Sequence, residues 1–206
     1  MMTIRRVAPA VALLTLLAPT LAFAQARVLQ FRSAEDPASP PDPAVCARAP
    51  FQTNVRIGGT LYTYETRKRN GEVVADDEPR AIGKATACVL LTNFTFPPGL
   101  VQSFFLQLTL PDGVYTASGT CTVISNNVPK SGLVLAGCSL PITGAPKGVV
   151  GGAVASVSTF NPFRLEGFAT GSFWTVQLYD AAGQPGRTDS EHAMEWTEGG
   201  DDDSGN

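Results

Sequence analysis

The sequence predicts an all-β protein, a small antiparallel barrel of about eight strands, with a β-sandwich as the alternative. Three observations carry this reading. Between Val55 and Tyr179 the chain is a succession of short apolar runs, several of them alternating, each closed by Gly, Pro, Asn or Asp. No stretch in that span carries the 3.6-residue period of an amphipathic helix. Gly58, Gly59, Gly83, Gly119, Gly137, Gly151 and Gly152 lie inside or beside the runs, where they weaken a flat sheet and permit bulges and coiling. Closure also removes the exposed strand edges that an exported β-protein must otherwise protect.

The elements follow in order. Residues 1–24 read as a secretory signal peptide: Arg5 and Arg6 precede an apolar stretch from Val7 to Leu17, and Ala22-Phe23-Ala24 supplies a small-x-small cleavage pattern before Gln25. The apolar run is shorter than the roughly 20 residues a membrane span needs, and it is broken by Pro9. No cysteine follows the cleavage site, so no lipoprotein anchor is indicated. The expected location is secreted or periplasmic, without stable membrane insertion. Residues 25–50 carry Pro37, Pro40, Pro41, Pro43 and Pro50 with little apolar periodicity, and they read as a disordered, Pro-rich arm.

The barrel domain is expected over 51–182. Val55-Ile57-Gly59-Leu61-Thr63 alternates, and Asn70-Gly71 is a two-residue hairpin signal leading to a return strand through Val73 and Val74. Ile82 to Phe94 is the next run, ended by Pro97-Pro98-Gly99. Phe104, Leu106, Leu108 and Leu110 share one face of a strand, with Ser103, Phe105, Gln107 and Thr109 on the other. In Pro111-Asp112-Gly113, Pro presets φ and Gly accepts the positive φ that follows. Strands over 114–124, 133–140, 149–159 and 172–179 complete the set. Residues 183–206 read as a disordered acidic tail: from Asp189 onward there are seven acids and no Lys or Arg.

Cys46, Cys88, Cys121 and Cys138 are an even set in a chain with an export signal, so two disulfides are the expectation. Of the three connectivities, Cys121–Cys138 would tie neighbouring strands and Cys46–Cys88 would pin the N-terminal segment to the sheet. Metal ligation would want close C-x-x-C pairs and histidines, and neither is present. No metal and no cofactor are expected.

Composition bounds the function. At 206 residues and 44% hydrophobic, the chain suits one domain with a real core. A net charge of −3, or −5 once Arg5 and Arg6 leave with the signal, excludes the diffuse basic field of a nucleic-acid binder. The single histidine, His192, falls in the acidic tail, where no nucleophile is held within its reach, so Ser-His-Asp hydrolysis is excluded. Asp201-Asp202-Asp203 lacks the spaced ligands of a calcium loop and reads as a solvated tail. Arg67-Lys68-Arg69 is a basic hairpin tip, read as solvation and edge protection. Asn93-Phe94-Thr95 matches the glycosylation sequon. Glu65, Asp112 and Glu166 are isolated carboxylates that no spacing brings together. Tyr62, Tyr64, Phe105, Tyr115, Phe173 and Trp174 are the candidate walls of an interior pocket, against ordinary packing as the alternative. Asn161-Pro162-Phe163 and Glu166-Gly167-Phe168 form an aromatic loop that either rims a site or plugs one barrel end.

Ile82-Gly83-Lys84-Ala85, Phe105 to Leu110 followed by Pro111-Asp112-Gly113-Val114-Tyr115, and Gly148-Val149-Val150-Gly151-Gly152-Ala153 stand in an order that resembles the allene oxide cyclase and dirigent-like barrels over residues 55–180. Those families carry G-T-G-x-F-x-G-A-x-G in the last third. Here the stretch from Gly144 to Ala153 keeps glycines and lacks the Thr-Gly-x-Phe core, so no catalytic residue carries over. The resemblance implies a barrel and, as an activity, a cofactor-free isomerase or cyclase. Three functions are therefore weighed: a non-catalytic binding module for a small apolar ligand or protein partner, that cyclase, and a structural surface or matrix protein assembling through strand edges. The oligomeric state is open.

Overall fold

A computed structural model of the chain describes residues 25–64, 66–69, 72–75 and 79–181. Its strands are β1 (Gln25–Glu35), β2 (Val55–Thr63), β3 (Thr66–Arg69), β4 (Glu72–Ala75), β5 (Ala81–Leu90), β6 (Val101–Leu110), β7 (Gly113–Ser125), β8 (Val134–Gly144), β9 (Val149–Phe160) and β10 (Gly171–Asp180), with one short helix, α1 (Pro43–Cys46). Eight of them close an antiparallel barrel in the order β1-β10-β9-β8-β7-β6-β5-β2. The barrel expectation holds and the sandwich alternative falls. Residues 1–24, read as a signal peptide, and the acidic stretch 183–206, with His192 and Asp201-Asp202-Asp203, lie outside the described residues.

The arm expected over 25–50 needs correction. Gln25–Glu35 is a barrel strand, paired to β10 along Gln25↔Asp180 to Ala34↔Gly171 and to β2 from Phe31↔Thr63. Leu29, Phe31 and Ser33 face inward, so the barrel starts at residue 25 and not at 51. The prolines of the following segment dominated the composition and hid a strand with only two large inward apolar residues.

Only the stretch after β1 behaves as an arm, and it is ordered. Asp36 accepts from Thr60 Oγ1 (2.7 Å) and from the Ala38 amide (2.8 Å), bonds that hold its carboxyl below the usual range. Asp42 caps α1 by accepting from the Ala44 amide, with Pro43 in the first turn. The Cys46–Cys88 disulfide fastens α1 to the outside of β5. There Val45, Cys46, Cys88 and Phe105 form a small buried cluster. Gly58 lies where the arm crosses β2: a Cβ there would stand 2.2 Å from the Ser39 carbonyl oxygen, so only glycine lets the two backbones approach.

The hairpin expectation is met in part. β3 and β4 pair through Arg69↔Glu72, but they form a separate two-stranded ribbon and no part of the barrel wall. Its turn residues Asn70 and Gly71 lie outside the described residues. Gly113 follows the Pro111-Asp112 turn at φ +145°, the conformation its residue type allows.

The interior divides in two. The half toward the β6–β7 turn is filled by large side chains, among them Phe31, Leu61, Leu106, Leu108, Tyr115, Leu140 and Leu178, all fully buried. The half toward α1 and the 91–100 loop holds a second cluster of Val89, Leu91, Phe96, Val123 and Val134 near its mouth. We call these the turn end and the loop end.

Candidate functional site

Between the two clusters the packing fails. The inward positions of the loop half carry small residues: Gly59 on β2, Ala85 and Ala87 on β5, Ala136 on β8, Ser158 on β9 and Ser172 on β10. An eight-stranded barrel has a nearly fixed bore, so small inward residues leave space where leucines would fill it. The result is a cavity of about 100 Å³. Its floor is Trp174 and Leu106, and the Cys121–Cys138 disulfide runs along one wall. Its roof is Phe96 and Phe160, packed edge to face with ring centres 5.6 Å apart. Phe96 reaches that position at φ +49°, a left-handed conformation uncommon for a residue with a side chain.

Few polar groups face the cavity, and most are spent on each other. Trp174 Nε1 donates to Ser33 Oγ at 2.8 Å. Ser172 Oγ donates to Ser158 Oγ at 2.7 Å, and Ser156 Oγ stands 3.3 Å from the same oxygen. Gln102 is the exception. It lies opposite Cys121 in the ladder, lines the cavity and is 9% exposed, and among the described residues nothing hydrogen-bonds its side-chain amide. Glu35, exposed at the rim, is the one ionisable side chain among the described residues that line the space.

A second polar group closes the turn end. Arg27 Nη1 donates to Asp112 Oδ2 at 3.0 Å, and Tyr115 OH donates to the same oxygen at 2.7 Å. Arg27 Nη2 reaches Tyr115 OH at 3.3 Å, and Asp180 Oδ2 lies 3.7 Å from Nε. Burial works against the Arg27 charge, but the bonds to Asp112 and Tyr115 outweigh it and hold the guanidinium above its ordinary value. Burial, then the hydrogen bond to Asp112 and its charge, push the Tyr115 phenol up to about 12. In the unfolded chain that phenol ionises near its ordinary 10. Between those values the unfolded state has released the proton and the folded state has not, so stability falls as pH rises from 10 toward 12. The wild type is therefore expected to lose more stability than Tyr115→Phe when urea midpoints are compared at pH 9 and pH 11. Equal losses in the two proteins would show that the phenol is not held neutral.

Of the six aromatic residues read as pocket walls, Trp174 alone lines the cavity. Tyr115 faces inward but sits in the filled half beside Asp112. Phe105 is on the outer face of β6, buried beneath α1. Tyr62, Tyr64 and Phe173 are also on the outer wall. Arg32 lies over the Tyr62 ring at 5.7 Å, and Tyr64 meets Phe173 edge to face at 5.3 Å. Parity is the reason. Inward positions are odd-numbered on β2 and even-numbered on β6 and β10, which places Phe104 and Trp174 inside and Phe105 and Phe173 outside.

The carboxylates are also rearranged. Asp112 meets Asp180 across Arg27, a convergence no sequence spacing signals. Glu166 is exposed and Glu65 lies outside the described residues. The 161–170 loop rims the loop end. Asn161 knits it by accepting from the Leu165 amide and donating to the Leu165 and Phe168 carbonyls, while Phe163 and Phe168 stay exposed. Asn93 is exposed and folds back to accept from Thr95. Arg67, Lys68 and Arg69 lie in β3, and their side chains are outside the described set.

Gln102, Ser33 and Arg27 were missed because none belongs to a motif. The signal available was register: each is a polar residue at an inward position of its strand, and Gln102 and Ser33 share theirs with Phe104 and Phe31. Among the described residues no group of three or more His, Cys, Asp or Glu is placed to hold a metal ion, and no helix is long and apolar enough to cross a membrane. Comparison of the chain with protein-family models, with curated proteins and with solved structures finds no match.

Proposed function

We propose that this chain is an exported binding module that takes a small apolar ligand into the loop half of its barrel. The observation that supports this most directly is the apolar cavity of about 100 Å³ beside a half-barrel packed without such a space. Interiors of small barrels are ordinarily filled by side chains, and a retained, apolar space with few convergent polar groups is the usual form of a small-molecule site. Two disulfides fit an oxidising compartment, and the 1–24 leader pattern fits export to one. The ionisable cluster of Arg27, Asp112, Tyr115 and Asp180 lies at the opposite end from the cavity, which favours binding over chemistry in it.

Native mass spectrometry of the oxidised protein from its own host is the test, run beside Ala136→Leu. The leucine adds three carbons to a wall of the cavity, so the wild type is expected to carry a small molecule and the variant to lose it. Its melting temperature is expected to stay within a few degrees or rise, because the void is filled. A wild type that is empty, or a variant that keeps the ligand at full occupancy, would overturn the reading. Conversion of the bound molecule on standing would instead favour the cofactor-free cyclase that the allene oxide cyclase and dirigent-like resemblance suggests. A ligand-free series of oligomers would favour the structural reading.

A further inference from the structure

We propose that the cavity's ligand is uncharged and carries one hydrogen-bonding group, a carbonyl, amide or hydroxyl, that pairs with the Gln102 carboxamide. The inference rests on the binding reading above and deepens it. Gln102 is more than nine-tenths buried, lines the cavity and has no hydrogen-bonding partner among the described residues. The amide keeps a little accessible surface, since Arg27 Nε is the one fully buried side-chain polar atom without a partner among the described residues. Polar groups of buried side chains are ordinarily paired, so this unpaired and still accessible amide marks where a partner enters. A carboxamide both donates and accepts, and so suits neutral polar groups of either kind.

The rest of the lining excludes charge. Ser33 already takes the Trp174 indole proton, and Ser158 already takes the Ser172 proton. No cation lines the cavity among the described residues, and Glu35 at its rim opposes an incoming anion. An organic cation would meet Glu35 only outside, and would lose its hydration on entering the apolar interior without a counter-charge there. Size completes the class. A dry apolar cavity of about 150 Å³ holds benzene, so about 100 Å³ takes roughly four carbons, a small molecule or most of a five-carbon one.

The test titrates the oxidised protein lacking the leader with four five-carbon probes: n-pentane, 2-pentanone, pentanoate and pentylammonium. Binding is read by calorimetry and by the tryptophan-selective emission of Trp174 at the cavity floor, with Trp196→Phe leaving a single tryptophan. The expected result is saturable binding of 2-pentanone at least ten-fold tighter than pentane, with neither ion binding. Gln102→Leu is expected to erase that ten-fold preference while pentane binds as before. The infrared carbonyl stretch of bound 2-pentanone, lowered by the hydrogen bond, gives the same answer without a variant. Pentane binding as tightly as the ketone, or an unshifted carbonyl band, would overturn the Gln102 assignment and leave the cavity as a plain apolar site, its amide satisfied by water. Saturable binding of either ion would overturn the uncharged class. Failure of all four probes in the wild type would overturn the binding reading itself.

Discussion

Replacing Cys46 and Cys88 together by serine is expected to lower stability by about 4 kcal/mol, the larger of the two disulfide effects in this chain. The bridge closes a loop with a sequence separation of 42, against 17 for Cys121–Cys138. The chain-entropy relation gives roughly 4 kcal/mol for the first and roughly 3 kcal/mol for the second. Position adds to length. Cys46–Cys88 fastens a segment whose other ties to the barrel are the packing of Val45 against Phe105 and a few hydrogen bonds, those of Asp36 and Ser39 to Thr60, Asp42 to Thr86, Arg48 to Gln107 and Asn54 to Leu91 among them. The Cys121–Cys138 bridge lies inside the wall, between strands already joined by the β7–β8 ladder. The double serine variant is therefore expected to shift its urea midpoint more than the Cys121/Cys138 pair does. Limited proteolysis is expected to cut it first within residues 36–54. A midpoint unchanged from the wild type, or first cleavage elsewhere, would show that packing alone holds the arm.

Trp174→Ala is expected to cost about 3–5 kcal/mol, the range for deleting a large buried aromatic side chain. Trp174 is 4% exposed, packs into the filled half of the barrel and forms the floor of the cavity. Its removal takes the donor away from Ser33 and opens the cavity toward Leu106. The same change is expected to enlarge what the barrel accepts. A ring compound such as naphthalene, too large for about 100 Å³, should bind the variant and not the wild type. Thermal unfolding measures the first effect and calorimetry the second. A small loss of stability with no change in ligand size would place the cavity away from Trp174.

How much of this was legible in the chain depends on which interactions carry the information. Phe104, Leu106, Leu108 and Leu110 alternate against Ser103, Phe105, Gln107 and Thr109, and that local period was enough to place β6. The turn at Pro111-Asp112-Gly113 was legible for the same reason, since its chemistry lies within three residues. Both disulfide pairings also follow the sequence reading, one across neighbouring strands and one to the N-terminal segment. The candidate pocket was read less well. Aromatic residues were selected for size, yet Phe105 and Phe173 differ from Phe104 and Trp174 by one residue of register, and that step exchanges the inside of the barrel for the outside.

The sequence by itself therefore determined an all-β chain and the position of most of its strands, and it favoured one of three cysteine pairings, which the structure then fixed. Those properties arise from periodicity, turn residues and cysteine spacing, which act over a few residues or follow from strand order. Tertiary structure decided the rest. β1 enters the barrel because residues 25–34 find β10, as Gln25 does at Asp180, 155 positions on. Closure fixes the bore, and a fixed bore turns Ala85, Ala87 and Ala136 into a cavity and strands Gln102 beside it. It also gathers Arg27 and Asp180, from the first and last strands, with Asp112 and Tyr115 from the middle of the chain. No local pattern encodes these, because each depends on which strands lie opposite one another across the barrel.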